Sequence, residues 1–175
     1  MKISMIVAMT PNRVIGKNGK MPWNLDGARS DLRRFRQITG SAPIIMGWYT
    51  FDSLETKPLP GRENIVITKG HGGDVDRAGG IPAESPEHAM MIAGSVPELF
   101  IIGGESVYKA FFPQAHYIHL TVVYVDADGD TYFPPIDETA WEKVLWDVAP
   151  RQLGTDWYKT SYTQWCRIGT EAPLK

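Results

Sequence analysis

The stretch that decides the fold is LFIIGGESVYKAFFP, residues 99–113. It begins with four apolar residues, Leu99 to Ile102, and such a run is typical of a strand that is buried on both faces. Gly103 and Gly104 then turn the chain. Apolar side chains return at helical spacing until Pro113 stops the helix. The stretch therefore predicts a strand, a glycine turn and a helix in direct succession.

Similar units precede this stretch. Three buried strands are predicted at Ile3 to Met9, Pro43 to Met46 and Asn64 to Thr68. Helical segments are predicted between them: one opens at Ser30 and runs from Asp31 to Thr39 before Gly40, a helical turn covers Thr50 to Leu54, and one follows Ser85 and Pro86 to about Ala93. Strands that alternate with helices predict an α/β fold, with helices on both faces of a sheet.

The remaining segments complete the outline. Two β-rich runs, His116 to Val125 and Trp157 to Trp165, predict antiparallel strands at the end of the sheet. Lys69 to Gly80 contains five glycines and no apolar periodicity, which predicts a surface loop. Thr10 to Asp26 is dense in turn-forming residues. Because long irregular loops in compact domains are usually functional, we expect this one to border the site.

Composition narrows the possible functions. At 175 residues, the chain fits a single domain over 1–175. Its net charge of −2 provides no positive field for nucleic acid or an anionic membrane, and no apolar run is long enough to span a bilayer. The lone Cys166 fits a reducing compartment and a small apolar role in a strand. We therefore expect a cytoplasmic protein that acts as a monomer on a small molecule.

Two glycine turns could face a ligand. Gly103 and Gly104 allow close approach to the backbone, ahead of a helix start whose N–H groups favour a phosphate. Gly47, followed by Tyr49 and Thr50, forms a second turn of this kind. Each could be only a tight turn, and the spacing does not complete a G-x-G-x-x-G fingerprint. Together the two turns could hold the halves of a dinucleotide.

Few ionisable residues stand out. Asp31 is either an ordinary first-turn acid that the helix dipole stabilises, or an acid partly desolvated by Leu32 and Phe35, with a useful proton. Arg62 is either a solvated turn residue or a bidentate clamp for a substrate carboxylate. The histidines show no metal-ligand spacing, so we expect no metal site.

In these residues and motifs the chain resembles the dihydrofolate reductase family from Ile3 to about Trp165. The matching pieces occur in the family's order, and they are RVIG at 13–16, MPWNL at 21–25, DL at 31–32 with Phe35, IIMG at 44–47, PLPGREN at 58–64, IIGG at 101–104, VY at 107–108, LT at 120–121 and GDTYFP at 129–134. The resemblance implies a three-layer α-β-α fold, with a central mixed, mostly parallel eight-stranded sheet and four helices. It also implies NADPH-dependent reduction of 7,8-dihydrofolate to 5,6,7,8-tetrahydrofolate, by hydride transfer to C6 and protonation at N5.

The resemblance further implies roles for individual residues. Asp31 would pair with the pterin amino group and a ring nitrogen, and water would be the immediate proton donor. Trp23 and Thr121 would orient this network, Met21 would lie on the closing loop, and Asp130 would brace that loop. The implied substrate contacts are Asp31, Thr121, Arg62, which would grip the glutamate carboxylate, and the walls Ile6, Val7, Ala8, Leu32, Phe35, Leu54, Leu59 and Ile102. The implied cofactor contacts are Ala8, Ile15, Gly16, Gly47, Tyr49, Thr50, Thr68, Gly103, Gly104, Ser106, Val107 and Tyr108.

The chain departs from the family pattern at two places. Trp48 stands where many members carry an arginine beside the 2′-phosphate of the cofactor; Lys69 is placed to substitute, and the indole could stack on adenine. We expect NADPH to remain preferred over NADH. The segment Asp26 to Ser30 is longer than usual, borders the pteridine cleft and is expected to alter inhibitor fit. It also makes Asp26 an alternative acid, although only Asp31 keeps the spacing to Leu32 and Phe35.

Two other functions remain open from the sequence. One is a reductase of the same fold that acts on another pterin or a pyrimidine, and Arg62 together with Asp31 and Trp23 argues against it. The other is a non-catalytic folate-binding or nucleotide-binding protein, against which the retained loop and acid argue. Dihydrofolate reduction accounts for more of these residues than either alternative does.

Overall fold

The computed structural model of the protein describes residues 1–23, 28–147 and 158–170. The strands within these residues are β1 Lys2–Met9, β2 Val14–Gly16, β3 Ile44–Gly47, β4 Asn64–Ile67, β5 Ile81–Ala83, β6 Glu98–Gly103, β7 Tyr117–Val123, β8 Thr131–Tyr132, β9 Trp141–Asp147 and β10 Thr160–Arg167. The helices are α1 Arg29–Thr39, α2 Trp48–Asp52, α3 Gly72–Arg77, α4 Pro86–Ala93 and α5 Glu105–Phe111, the last followed by a 3-10 turn at Phe112–Gln114.

Eight of these strands form one sheet in the order β5-β4-β3-β6-β1-β7-β10-β9. The pairs from β5 to β7 are parallel, and β10 runs antiparallel to both β7 and β9. The predicted mixed, mostly parallel sheet with antiparallel strands at its end is confirmed. The short strands β2 and β8 pair separately.

Alternation along the strands separates two apolar layers. Ile6, Met46 and Phe100 point to one face, where they belong to a cluster with Phe35 of α1 and Phe51 of α2. Their neighbours Met5, Val7 and Ile101 point to the other face, into a cluster with Ala89 of α4 and Phe111 of α5. Since successive side chains of a strand leave opposite faces, each buried strand supplies both layers. The predicted three-layer arrangement is confirmed.

The loop predicted for Lys69 to Gly80 is wrong at its centre, because helix α3 forms at Gly72–Arg77. Val75 is fully buried against the α1 face of the sheet, and Asp74 pairs with Arg77 one turn later. One buried side chain therefore outweighs the poor helix propensity of the glycines, since packing contributes most helical stability in proteins. α3 is also the helix beyond the four implied, because the described residues contain five α-helices.

Smaller differences concern the ends of elements. α1 begins at Arg29 with Ala28 at its N-cap, so the predicted opening at Ser30 is wrong. Ala28 has no capping side chain, but it is buried with Trp23 and Val123, and this packing sets the helix start. The predicted cap of α4 is confirmed, because the Ser85 hydroxyl oxygen accepts a hydrogen bond from His88 N at 3.1 Å. Asp26 and Trp157 lie outside the described residues.

Candidate active site

A cleft of about 750 Å³ opens where β1 and β6 end. β1 and β6 are neighbours in the sheet although β3, β4 and β5 separate them along the chain, so the strand order reverses at this point. Ligands of open α/β sheets bind in such a crevice, and this volume suits a small-molecule site. Residues from α1, α2, α5 and the preceding loops complete the lining.

Asp31 enters the cleft from the first turn of α1 and is half-buried. Leu32 and Phe35 of the same helix line the cleft beside it, together with Ile6 and Ile102 from the sheet. A carboxylate among apolar walls interacts strongly with a bound polar ligand, because little water screens it. Asp31 therefore places an acidic group among apolar walls of the cleft.

Tyr108 links this acid to the strand ends. Its hydroxyl donates a hydrogen bond to the carbonyl oxygen of Ile6 at 2.7 Å. Burial raises the pKa of the Tyr108 hydroxyl, and the charge of Asp31 raises it further. Tyr108 is therefore neutral, and the negative charge of Asp31 favours this neutral form.

Cations occupy another part of the lining. The Arg62 guanidinium donates to the hydroxyl of Thr39 and lies over the ring of Phe35, 5.7 Å from its centroid. Burial and the neighbouring charge of Arg36 lower the pKa of Arg62, so the two cations lie close together. Both line the cleft. Paired guanidinium groups suit a ligand that carries carboxylates.

The two glycine turns, at Gly47 and at Gly103 and Gly104, lie next to each other in the structure. A Cβ atom on Gly47 would lie 3.2 Å from Val107 Cγ2, and one on Gly104 would lie 3.4 Å from Thr50 Oγ1. Gly103 has φ = +113°, which favours glycine, and its peptide bond to Gly104 is cis. The elements thus approach so closely that bare backbone faces the cleft. The first-turn N–H groups of α5 lie directly beyond, so these residues fit a phosphate-bearing cofactor.

The segment of residues 10–23, here called the cleft loop, covers one side of the site and includes β2. Gly19, Lys20 and Met21 line the cleft, and the Met21 side chain is exposed. Asp130 Oδ2 accepts a hydrogen bond from Asn18 N at 2.8 Å. The brace between Asp130 and this loop, implied by the resemblance, is therefore present in the structure.

The structure brings most of the expected residues together. Those that line the cleft are Ile6, Val7, Ala8, Ile15, Gly16, Met21, Asp31, Leu32, Phe35, Tyr49, Thr50, Leu54, Leu59, Arg62, Ile102, Gly103, Gly104 and Tyr108. Those outside the lining are Trp23, Thr121, Gly47, Thr68, Lys69, Ser106 and Val107. Trp23 and Thr121 are buried behind the wall at Ala8: Trp23 packs in the cluster next to Ala8, and Thr121 pairs with Ala8 across β1 and β7.

Trp48 has a neighbour that the sequence did not indicate. The ring of His71 stacks on the indole with centroids 4.5 Å apart and planes 3° apart. His71 N in turn donates to Thr68 Oγ1 at 3.3 Å, while Lys69 is exposed between them in sequence. His71 therefore covers one face of the indole, and the ring of Phe51 lies tilted beside Trp48 with centroids 6.3 Å apart.

Eight further residues line the cleft that sequence reasoning missed, namely Gly19, Lys20, Arg36, Ser53, Thr56, Pro60, Glu105 and Thr131. Arg36 could have been found, because it lies four residues after Leu32 and so shares its helix face. Thr131 lies within the motif at 129–134. Glu105 directly follows the predicted Gly104, but its own residue type gave no signal for a place in the lining.

Two searches of the described residues found nothing. Across 1–23, 28–147 and 158–170, no three His, Cys, Asp or Glu side chains are grouped as a metal site. In the same part of the chain, none of the helices combines the length and the apolar character needed to cross a membrane.

Comparisons with known proteins agree with this geometry. The family model described as dihydrofolate reductase matches residues 2–167. Two similar relatives are the dihydrofolate reductases of Haemophilus influenzae, 40% identical over 81% of this chain and 84% of that one, and of Bacillus subtilis, 39% identical over 81% of each. A solved dihydrofolate reductase of Enterococcus faecalis, complexed with NADP(H) and RAB-propyl, superposes with a TM-score of 0.83 at 30% identity, covering 95% of this chain and 96% of that one.

Proposed function

The chain belongs to the dihydrofolate reductase family, and we infer from this that it reduces 7,8-dihydrofolate to 5,6,7,8-tetrahydrofolate with NADPH in the cleft beside α1. The observation that carries the assignment of the site is the position of Asp31, a half-buried carboxylate among the apolar residues of this cleft. A carboxylate set between apolar walls suits a flat heterocycle that carries an amino group and ring nitrogens.

The residues divide the work as follows. Asp31 binds the pterin amino group and a ring nitrogen, which orients the ring and increases the tendency of N5 to take a proton from water. Trp23 and Thr121 support this network from behind the wall at Ala8. The apolar side chains of Ile6, Leu32, Phe35, Leu54, Leu59 and Ile102 hold the rings and exclude water, while Arg62 grips the glutamate carboxylate.

NADPH, when bound, supplies the hydride that passes to C6. Gly103, Gly104 and Thr50 would hold its phosphates along the bare backbone of the two glycine turns. Met21 and its loop would cover the nicotinamide and exclude water from the site. Lys69 would supply the cation for the 2′-phosphate that Trp48 cannot.

Three further proposals concern the protein as a whole. The chain forms a single domain over 1–175 and acts as a monomer without nucleic acid, since residues of one chain line the cleft and its net charge is −2. A cytoplasmic location suits both its lone, buried Cys166 and its substrate. Light scattering of the purified protein tests the monomer: a dimer mass would contradict it.

The decisive experiment follows NADPH oxidation with dihydrofolate present, for the wild type, Asp31→Asn and Asp26→Asn. We expect Asp31→Asn to slow hydride transfer at neutral pH by about 10²-fold or more. The loss should shrink as the pH falls, because solution then supplies the proton that Asp31 helps N5 to acquire.

Asp26→Asn serves as the matched control and should stay near the wild type. Full activity of Asp31→Asn at neutral pH, with loss in Asp26→Asn, would move the role to Asp26. No oxidation by the wild type would refute the function itself.

A further inference from the structure

We propose that Glu105 is a positioning residue: its carboxylate ties the start of α5 to strand β8, and through β8 it holds the cleft loop in place. Its effect on turnover rests on the proposed function, whereas its effect on the loop does not. Glu105 lines the cleft beside Gly104. A negative charge there opposes the phosphates of NADPH, so its position calls for another explanation.

The contacts of Glu105 supply that explanation. Its Oε2 accepts a hydrogen bond from the backbone N–H of Tyr132 at 3.0 Å, and its Oε1 accepts one from Lys109 Nζ. The hydrogen bond from Lys109 is the main reason that the pKa of Glu105 lies below its usual range, while the charge of Asp130 opposes it. The side chain is 23% exposed. A charged, largely covered carboxylate therefore bridges α5 and β8.

β8 transmits this contact to the cleft loop. Asp130, directly before β8, donates its N–H to the carbonyl of Gly16 at 3.1 Å and accepts from Asn18 N at 2.8 Å. After β8, Phe133 N donates to the carbonyl of Arg13 at 3.0 Å. Backbone bonds on both sides of β8 thus hold residues 13–18, a stretch that includes Ile15 and Gly16 of the cleft lining and lies directly before Gly19, Lys20 and Met21.

Strand β8 and the cleft loop are closely packed against each other. A Cβ atom on Gly16 would lie 2.4 Å from Thr131 Oγ1, and one on Gly129 would lie 2.1 Å from Val14 Cγ1. Because Thr131 and Val14 each pack against a glycine backbone of the other segment, a displacement of β8 must displace the loop. The position of the cleft loop therefore depends on the position of α5, to which Glu105 ties β8.

Two different anchors fix β8 to the body of the protein. Phe133 is fully buried and packs edge-on against Tyr108 with ring centroids 5.0 Å apart. Glu105 is the polar anchor on the cleft side. Loss of the Glu105 anchor should therefore free the loop while Phe133 keeps the fold intact.

The test compares Glu105→Ala, Glu105→Gln and Lys109→Ala in the full chain without ligand, by amide hydrogen exchange. Glu105→Ala removes both contacts; Glu105→Gln keeps an oxygen that can accept from Tyr132 N; Lys109→Ala removes only the ion pair. We expect Glu105→Ala to speed exchange at Tyr132 and Asn18 by about tenfold, since a hydrogen bond to a charged group contributes free energy of that order. The other two variants should stay near the wild type.

Kinetics then separate positioning from stability. In Glu105→Ala, kcat should fall severalfold while the KM for dihydrofolate stays close to that of the wild type, because loop closure follows substrate binding. Two results would overturn the proposal. One is unchanged exchange in Glu105→Ala. The other is that Glu105→Gln matches Glu105→Ala both in its exchange rates and in a lower Kd for NADPH, which would leave a purely electrostatic effect. If the wild type did not oxidise NADPH, the proposed function would fail while the exchange result stood.

Discussion

The charge of Asp31 reaches beyond its own hydrogen bonds, since it helps to raise the pKa of the Tyr108 hydroxyl. Arg36 acts similarly on Arg62, whose pKa it lowers. Such through-space effects are large where the lining is apolar and screening is weak. Individual side chains thus give the cleft an acidic position and a cationic one, to match a ligand with basic ring nitrogens and terminal carboxylates.

Lys69 is expected to carry the preference for NADPH, because Trp48 has no charge and His71 covers one face of it. Lys69→Ala should raise the Kd for NADPH about three- to tenfold, the range for an exposed charged contact to phosphate. Fluorescence titration with both cofactors measures this. NADH, which lacks the 2′-phosphate, is the control and should bind unchanged. Equal weakening for both cofactors would contradict the role of Lys69, and equal turnover with both in the wild type would refute the preference.

His119 should make stability depend on pH. Its ring is buried, its Nδ1 lies 2.7 Å from the hydroxyl of Tyr162, and burial lowers its pKa from 6.5 to about 4. Tyr162 in turn lies under the Arg34 guanidinium, whose central carbon is 4.6 Å from the ring centroid. The folded state therefore excludes a proton that the unfolded state binds.

The sign follows from proton linkage. Stability from this group is complete above about pH 6.5 and declines as the pH falls towards 4, by up to about 3 kcal/mol in all. Urea unfolding near pH 7.5 and near pH 5 measures it for the wild type and His119→Gln. The wild type should lose about 2 kcal/mol more than the variant over this interval. Parallel losses in both proteins would contradict the prediction.

Among the elements, α1 contributes most to the cleft. Asp31, Leu32, Phe35 and Arg36 all line it from this one helix. Its last residue, Thr39, donates to the carbonyl of Phe35 at 2.7 Å and accepts from Arg62, so the end of the helix also holds the Arg62 side chain. α1 thus lines the cleft from Asp31 to Arg36 and fixes Arg62 at its end, and its placement decides the shape of the slot.

The segment before α1, Asp26 to Ser30, should influence inhibitor binding. Deleting Asp26 and Gly27 would shorten it while keeping Ala28, which is buried at the helix N-cap. We expect the Kd of a pteridine-like antifolate to change on the order of tenfold, equivalent to about 1.4 kcal/mol. The Kd for NADPH and the Tm are the controls, because they report whether α1 still packs in its place and the fold is intact. An unchanged antifolate Kd with intact controls would refute the prediction.

At the scale of the whole molecule, the strand order creates the site. β6 returns between β3 and β1, so Gly103 of β6 comes to lie near Ile6 of β1 and Gly47 of β3. Neither neighbour is close to Gly103 in sequence. Function therefore depends on the pairing of β3, β6 and β1 within the sheet, which holds these strand ends together.

The proposed single domain predicts the unfolding behaviour. A single domain should unfold in one transition, and NADPH at about 100 times its Kd should stabilise it by about 2.7 kcal/mol through binding to the native state. Calorimetry with and without NADPH measures both. Two separate transitions would contradict the single domain, and an unshifted Tm would contradict binding to the folded state.

Much of this protein was determined by its sequence alone. The run from Leu99 to Gly104 specifies a buried strand and its turn, and Ser85 with Pro86 specifies a helix start, because these signals act over a few neighbouring residues. The resemblance carried by the motifs between Arg13 and Pro134 implied most of the cleft lining. Six strands of the main sheet and the region of the site could therefore be predicted, whereas the outer strands β5 and β9 were not.

The tertiary structure alone decided the rest. α3 forms because Val75 is buried under the sheet, His71 covers Trp48 because two turns converge, and Glu105 reaches Tyr132 because α5 packs beside β8. Each depends on the distance between residues that are brought together only by folding. Local propensity carries no information about such distances, since it describes which secondary structure a segment prefers and not which other segments pack against it.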